Sequence, residues 1–116
     1  MQLPKEAEML RIFIGENDKK SGKPLYELIV EEARKQGMAG ATVMRGVMGF
    51  GADSRIHTAK VLRLSEDLPI VIEIVDTVDK IEAFIPFLDG VVLEGLITIE
   101  KMRVLAYRSH PTKSSL

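Results

Sequence analysis

The alternation of side chains in residues 68–75, LPIVIEIV, restricts the fold of this chain more than any other feature. One parity of the segment is wholly aliphatic and consists of Ile70, Ile72 and Ile74. The other parity consists of Val71, Glu73 and Val75. Successive side chains of a strand point to opposite faces of a sheet, so this period of two predicts a β-strand. It is the clearest strand of the chain.

Three other segments predict strands, and they cover residues 8–14, 41–48 and 96–108. Gly46 lies inside the second of them and indicates a bulge or a close approach of the backbone. The last segment changes phase at Glu100 and Lys101, which predicts a bulge or two short strands. Residues 60–64 alternate weakly and predict a short strand that leaves the preceding loop, whereas residues 15–23 predict a loop.

Two segments have apolar residues at the spacing of a helix that packs on a sheet. The first covers residues 24–36, where the initial proline suits the first turn and Gly37 follows as a left-handed C-cap. The second helix begins after a cap at Asp76 or Thr77. Pro86 lies late in this helix, and its missing N–H is expected to kink or end it.

The order of elements is therefore β-α-β-β-α-β. It predicts an α+β, ferredoxin-like fold: a four-stranded antiparallel sheet with both helices on one face and a long loop between strands two and three. We expect a single domain over residues 1–116, with an ordered core at about 8–108 and a polar tail at 109–116.

Two helices cover only one face of such a sheet, and the uncovered face is predicted to carry Met9, Arg11, Phe13, Val71, Glu73 and Val75. This set is too apolar for a fully solvated surface and predicts a homo-oligomer that buries it. Glu73 needs a partner in such a setting, which could be Arg11, a ligand or another subunit.

Composition excludes several classes of function. The 116 residues have a net charge of −1, which disfavours nucleic-acid binding. The chain contains no cysteine, and so disulfides, thiolate catalysis and cysteine-type zinc sites are excluded. No apolar run has the length of a membrane helix, and the N-terminus lacks the apolar run of a signal peptide. We therefore expect a cytoplasmic protein without membrane insertion.

Catalysis is not expected. The two histidines are His57 and His110, and the second lies in the polar tail. Asp53, Ser54 and His57 contain the residue types of a triad, but they lie within five positions of one loop and lack a rigid geometry. Without cysteine or clustered histidine, no metal site is predicted.

Residues 40–60 combine backbone freedom with many polar side chains. Gly46, Gly49 and Gly51, with Phe50 between the last two, would let the backbone approach an anionic ligand. The alternative is that these glycines only turn the strand into its loop. The last strand adds cations that could reach a phosphate at a neighbouring subunit's loop, namely Lys101, Arg103 and Arg108.

The chain resembles the PII-type signalling proteins, and most closely a PII-like subfamily of unknown function. The resemblance covers nearly the whole chain. It depends on GATV leading into GFG, on the pair His57-Thr58 in a long loop, and on LPIVIEIVDTVDKI. Members of this subfamily share a long run almost as it is written here, RGVMGFGADSRIHTAKVLRLSEDLPIVIEIVD.

The resemblance implies a homotrimer that binds an adenine nucleotide (AMP, ADP or ATP) between subunits, at the base of a loop called the T-loop. The ligand-binding positions that it implies are Gly46, Gly49, Phe50, Gly51, Glu73, Val75, Gly95, Arg103 and Arg108. The T-loop would contact a partner, such as a membrane transporter or an enzyme, through Asp53, Ser54, Arg55, His57 and Lys60.

The chain also departs from the PII pattern. The family's glycine-rich phosphate loop is replaced by VVLEGLITIE, where Gly95 is kept but Leu96 stands in the position of the phosphate-binding lysine. Arg108 matches one of two late arginines, and Ala106 stands at the other. A weaker phosphate cage would favour AMP or ADP over ATP, or another ligand altogether. Two alternatives are a trimer of the divalent-cation tolerance type and a small enzyme that uses Glu73 or His57 as its base.

Overall fold

A computed structural model of the chain describes residues 6–51 and 67–109. The elements in chain order are β1 (Glu6–Gly15), β2 (Lys19–Lys20), β3 (Lys23–Pro24), α1 (Leu25–Lys35), β4 (Thr42–Arg45), β5 (Pro69–Asp76), α2 (Val78–Val91) and β6 (Leu96–Arg103). The main sheet has the order β4-β5-β1-β6, and every neighbouring pair is antiparallel. The predicted ferredoxin-like α+β fold is confirmed.

The helices cover the aliphatic face of the sheet. The two central strands, β1 and β5, are paired along their length from Glu8 opposite Asp76 to Gly15 opposite Pro69. The strand residues of the core are Leu10, Ile12, Ile14, Ile70, Ile72 and Ile74. The helices pack on them through Leu25, Ile29, Ala33, Ile81, Phe84 and Leu88. The core therefore lies between one face of the sheet and the two helices.

The other face of the sheet, called the open face below, is covered by neither α1 nor α2. Its central pairs are Met9 with Val75, Arg11 with Glu73, and Phe13 with Val71, as the alternation predicted. Beyond them, β4 contributes Met44 and β6 contributes Leu96, both of which are exposed. In the single chain this face is therefore an apolar surface around Arg11, which forms ion pairs with Glu73 and Glu100.

Several predicted boundaries were wrong. The loop at 15–23 contains the hairpin β2–β3, whose two turn residues, Ser21 and Gly22, have φ of 54° and 79°. Positive φ at both positions is the geometry of a tight hairpin turn. The second strand is confined to Thr42–Arg45, and Gly46, which follows it, packs against Pro69. The proline at 24 ends β3 and precedes the first helical residue.

The predicted interruptions in α2 and β6 are absent from these two elements as the structure describes them. α2 continues past Pro86 to Val91, because the buried side chains of Phe84 and Leu88 hold it to the core on either side of the proline. β6 pairs with β1 without a bulge as far as Arg103. Its apparent change of phase arises because apolar residues lie on both of its faces.

Other predictions were confirmed or lie outside the described residues. Gly37 has φ of 74°, as expected for the residue after α1. The hydroxyl of Thr77 accepts a hydrogen bond from the N–H of Lys80 at 3.2 Å and caps α2. The strand predicted at 60–64, and His110 with the rest of the tail, lie outside the described residues. Within those residues, neither helix is long and apolar enough to span a membrane.

A buried carboxylate joins three elements at one end of the sheet. Asp76, which is 1% exposed, accepts hydrogen bonds from the N–H of Ala39 and the N–H of Thr77, both at 2.7 Å. Ala39 lies between α1 and β4, and its carbonyl accepts a hydrogen bond from the hydroxyl of Tyr107 at 2.8 Å. Asp76 therefore connects the approach to β4 with the start of α2.

Replacing Asp76 with alanine should destabilise the fold. Asp76→Ala leaves two backbone N–H groups without acceptors in a buried position, and we expect the free energy of unfolding to fall by about 2–4 kcal/mol. Urea denaturation followed by circular dichroism measures this change. The control Asp89→Ala removes an exposed carboxylate from α2 and should change it by less than about 0.5 kcal/mol. Equal losses in both variants would contradict this role of Asp76.

Candidate functional site

A cleft of about 460 Å³ lies at the end of the sheet where β1 ends and β5 and β6 begin. Its walls come from segments that are far apart in the sequence: the end of β1 and the loop after it, the GFG segment, the approach to β5, and the approach to β6. The lining residues are Phe13, Ile14, Gly15, Asp18, Phe50, Gly51, Asp67, Pro69, Glu94, Gly95 and Leu96. Ligand sites are usually concave, apolar surfaces with a few polar groups, and this cleft has that character.

Two glycines permit the close contacts that shape the cleft. Gly95 has φ of 148°, and a Cβ on it would lie 2.5 Å from the backbone oxygen of Phe13. A Cβ on Gly46 would lie 2.7 Å from Cγ of Pro69. The N–H of Gly46 also donates to the carbonyl of Pro69 at 2.8 Å. The close backbone approach predicted at Gly46 is therefore present, and it is made to another part of the chain.

The polar side chains of the cleft are acidic. Asp18 accepts a hydrogen bond from the N–H of Gly15 at 2.9 Å, and Asp67 accepts one from the N–H of Asn17 at 2.8 Å. Glu94 is the third carboxylate, and none of the lining residues that the structure describes is basic. Sequence reasoning missed these acids. The usable signal was that Asp18 and Asp67 lie in turn segments, but only the pairing of β1 with β5 brings the two turns together.

The structure brings some of the predicted ligand-binding residues together in this cleft. Phe50, Gly51 and Gly95 line it. Gly46 and Gly49 lie beside it, where both pack against Pro69. Phe50 is 69% exposed in the single chain, so its ring is accessible to a ligand or to another subunit.

Glu73 and Val75 lie on the open face and do not line the cleft. The Nε of Arg11 donates to Oε2 of Glu73 at 2.7 Å, and Nη1 of Arg11 lies 3.5 Å from Oε1 of Glu100. The hydrogen bond to Glu73 is the main cause of the raised pKa of Arg11. Among the partners that the sequence left open for Glu73, Arg11 of the same chain contacts it in the structure.

Arg103 and Arg108 lie at the opposite end of the sheet from the cleft. Arg103 pairs with Glu6 at the start of β1, whereas Leu96 at the cleft pairs with Phe13. Seven residue steps along β6 separate the cleft from Arg103, which corresponds to roughly 23 Å. Tyr107 bonds to Ala39 near Asp76, and so it places its neighbour Arg108 at the same distant end. One chain therefore does not bring these arginines to its own cleft.

The residues predicted for the partner-binding loop, Asp53, Ser54, Arg55, His57 and Lys60, lie outside the described residues. Within residues 6–51 and 67–109, no three histidine, cysteine, aspartate or glutamate side chains are grouped in a way that could hold a metal ion.

Comparison with known proteins identifies the family. Residues 7–104 match the DUF190 family, whose description is Uncharacterized ACR, COG1993. The chain belongs to the DUF190 family. A UPF0166 protein of Aquifex aeolicus is 39% identical over 98 residues, which cover 84% of this chain and 92% of that protein. The UPF0166 protein MJ1524 of Methanocaldococcus jannaschii is 35% identical over 100 residues, covering 85% and 92%.

Solved structures show that this DUF190 chain has a PII-like fold, as the resemblance implied. A candidate PII-like signalling protein of Thermus thermophilus has a TM-score of 0.60 at 17% identity, with 90% of this chain and 93% of that one covered. CPII of Thiomonas intermedia K12, bound to ADP, AMP and acetate, has a TM-score of 0.57 at 14% identity, with 90% and 91% covered. At these identities the likeness is one of fold.

Adding a methyl group at Gly95 should disrupt the wall of the cleft. In Gly95→Ala the new Cβ meets the carbonyl of Phe13 in a backbone conformation that side chains rarely adopt, and we expect a loss of about 2–4 kcal/mol in stability. In the control Gly90→Ala, which lies in α2 with open space around it, we expect no loss and a gain of up to about 1 kcal/mol. Thermal denaturation of both variants measures the contrast. A Gly95→Ala variant as stable as the parent would show that the wall is not tightly packed.

Proposed function

We propose that this chain is a PII-like regulatory protein that binds an adenine nucleotide at a subunit interface and contacts a partner through its T-loop. The observation that carries this proposal is the cleft, which places Phe50 and Gly51 of the GFG segment beside Gly95. These positions were expected at a ligand site from the resemblance alone. The PII-like fold of the chain supports the same function.

The chemistry of the cleft suits the nucleoside part of a nucleotide. Phe13, Phe50, Pro69 and Leu96 offer apolar and aromatic surface of the kind that accepts a purine ring. The carboxylates of the lining can accept hydrogen bonds from ribose hydroxyls. Nucleotides bind to a protein of this fold, since CPII of Thiomonas intermedia K12 has been solved with ADP and AMP.

A second copy of the chain would complete the site in this proposal. The described lining of the cleft contains no basic residue, and Arg103 and Arg108 are exposed at the other end of the sheet. In a trimer that buries the open faces, one subunit's arginines could meet its neighbour's cleft. Phosphate groups would then lie between subunits, where charge-assisted hydrogen bonds from arginine are strong.

Regulation would act through residues 52–60. A ligand shifts the populations of two loop conformations only if it binds one of them more tightly, and the base of the loop at Phe50–Gly51 is part of the cleft wall. The partner would be a membrane transporter or an enzyme in the cytoplasm. The proposed role is not catalytic. Of the two candidate bases, Glu73 is paired with Arg11, which disfavours it as a base, and His57 lies outside the described residues.

Titration calorimetry tests the nucleotide proposal. We expect AMP, ADP or ATP to release or absorb heat on mixing with the full chain at millimolar concentration or below, and to raise its melting temperature by mass action. Guanosine monophosphate is the matched control ligand, because it keeps the ribose and phosphate and changes the base. If none of the three adenine nucleotides produced heat or a thermal shift, the proposal would fail.

The oligomeric state tests the role of the open face. We expect light scattering to give a trimer, because Phe13, Val71 and Val75 form an apolar surface that a monomer leaves partly solvated. Val71→Asp places a charge in this surface and should dissociate the trimer. Val78→Asp makes the same change at an exposed position in the first turn of α2, where an acid is tolerated, and should leave the trimer intact. A parent chain that is monomeric in dilute solution would contradict this proposal.

A further inference from the structure

The described lining that one chain gives to the cleft has the opposite charge to what phosphate groups require. Three of its described lining residues are acidic, Asp18, Asp67 and Glu94, and none is basic. The carboxylates of Asp18 and Asp67 are held close to each other. An oxygen of Asp18 and both oxygens of Asp67 lie within 3.1 Å of the position that a Cβ on Gly15 would occupy.

The acidic side chains cannot turn freely away from the cleft. The N–H of Gly15 holds Oδ2 of Asp18, and the N–H of Asn17 holds Oδ1 of Asp67. These hydrogen bonds fix the position of each carboxylate and do not neutralise its charge. The cleft therefore contains a fixed pair of like charges, and Glu94, which precedes Gly95 in the lining, adds a third.

Two cations near the cleft, Arg45 and Lys23, form ion pairs with other acids. The Nε of Arg45, which ends β4 near the cleft, lies 2.7 Å from Oε2 of Glu16. Lys23, on the hairpin beside Asp18, pairs with Glu31. Among residues 6–51 and 67–109, Glu94 forms no ion pair or side-chain hydrogen bond. Within the described residues, no ion pair therefore neutralises Asp18, Asp67 or Glu94.

We propose that this cleft selects among adenine nucleotides by the charge of their phosphates, with Asp67 and Glu94 as specificity-determining residues. The inference depends on the proposed function, since it assigns a preference to the same site. Hydroxyl and amino groups of a nucleoside can donate hydrogen bonds to these carboxylates, which increases the affinity for the nucleoside part of the ligand. Each additional phosphate brings negative charge toward the same carboxylates, and in this inference their repulsion outweighs the attraction that a neighbour's arginines would add. The preferred ligand class is therefore adenosine or AMP, ahead of ADP and of metal-free ATP.

A divalent cation should reduce the difference in affinity between AMP and ATP. Mg²⁺ bound to the phosphates of ATP cancels part of their charge and should recover part of the lost affinity. The preference then depends on whether the nucleotide arrives as a metal complex. Comparing the affinity for ATP with and without magnesium therefore tests whether the charge of the cleft determines the preference.

Calorimetry of adenosine, AMP, ADP and ATP with the full chain, first in EDTA and then in excess magnesium, tests the inference. We expect AMP to bind more tightly than ATP in EDTA. Glu94→Gln keeps the shape of the side chain and removes its charge, and it should narrow the AMP-to-ATP affinity ratio roughly three- to tenfold. Asp67→Asn keeps an oxygen for the N–H of Asn17, and it should narrow the ratio in the same direction.

The control is Glu82→Gln, which makes the same change of net charge at an exposed position on α2 that does not line the cleft. It should leave the ratio unchanged. Tighter binding of ATP than of AMP in EDTA, with a ratio that Glu94→Gln does not alter, would overturn the charge selection and leave nucleotide binding intact. Failure of all four ligands to bind would overturn the proposed function, and this inference with it.

Discussion

The pairing of β1 with β5 is the interaction on which the rest of the structure depends. It aligns Leu10, Ile12 and Ile14 with Ile74, Ile72 and Ile70 over eight residue pairs, and all six side chains are almost fully buried. Burial of each such side chain contributes about 1.5–3 kcal/mol to the stability of the fold. Both helices pack on this layer of side chains. A shift of one residue would turn the isoleucines of β5 away from the helices, and the register is therefore strongly specified.

The same register determines what lies on the open face and at the two ends of the sheet. It places Arg11 opposite Glu73, where their ion pair is partly exposed and contributes little to stability. Like the apolar residues around it, the pair belongs to a surface that the helices do not cover. At one end the register brings Gly15 to Pro69 and forms the cleft, and at the other it brings Glu8 beside Asp76. The proposed ligand site and the buried carboxylate junction thus lie at opposite ends of one ladder.

The separation of the two ends bears on how the chain could act. The cleft is lined by Phe50 and Gly51 of the GFG segment and by three carboxylates, whereas the late arginines lie roughly 23 Å away along β6. A site that uses both groups requires two copies of the chain. Ligand binding and assembly would then be coupled in the proposed function, because the ligand would contact residues of both subunits. The partner-binding segment of such a mechanism would begin after Gly51, where the chain leaves the wall of the cleft.

The amino-acid sequence by itself determined the main strands, the helices and the two faces of the sheet, because these depend on local periodicity. The isoleucines of residues 68–75 and the apolar residues of 8–14 were assigned to the correct face for this reason. Even the partner of Glu73 was among the stated possibilities. What only the tertiary structure decided was which distant turns meet. In the sequence Asp18 and Asp67 are ordinary turn residues, and only the pairing of β1 with β5 brings them to one cleft. Gly46 predicts a close backbone approach, but the sequence does not identify Pro69 as the residue that it contacts. The tertiary structure also decided that α2 continues through Pro86, because packing on the core outweighs the tendency of proline to end a helix.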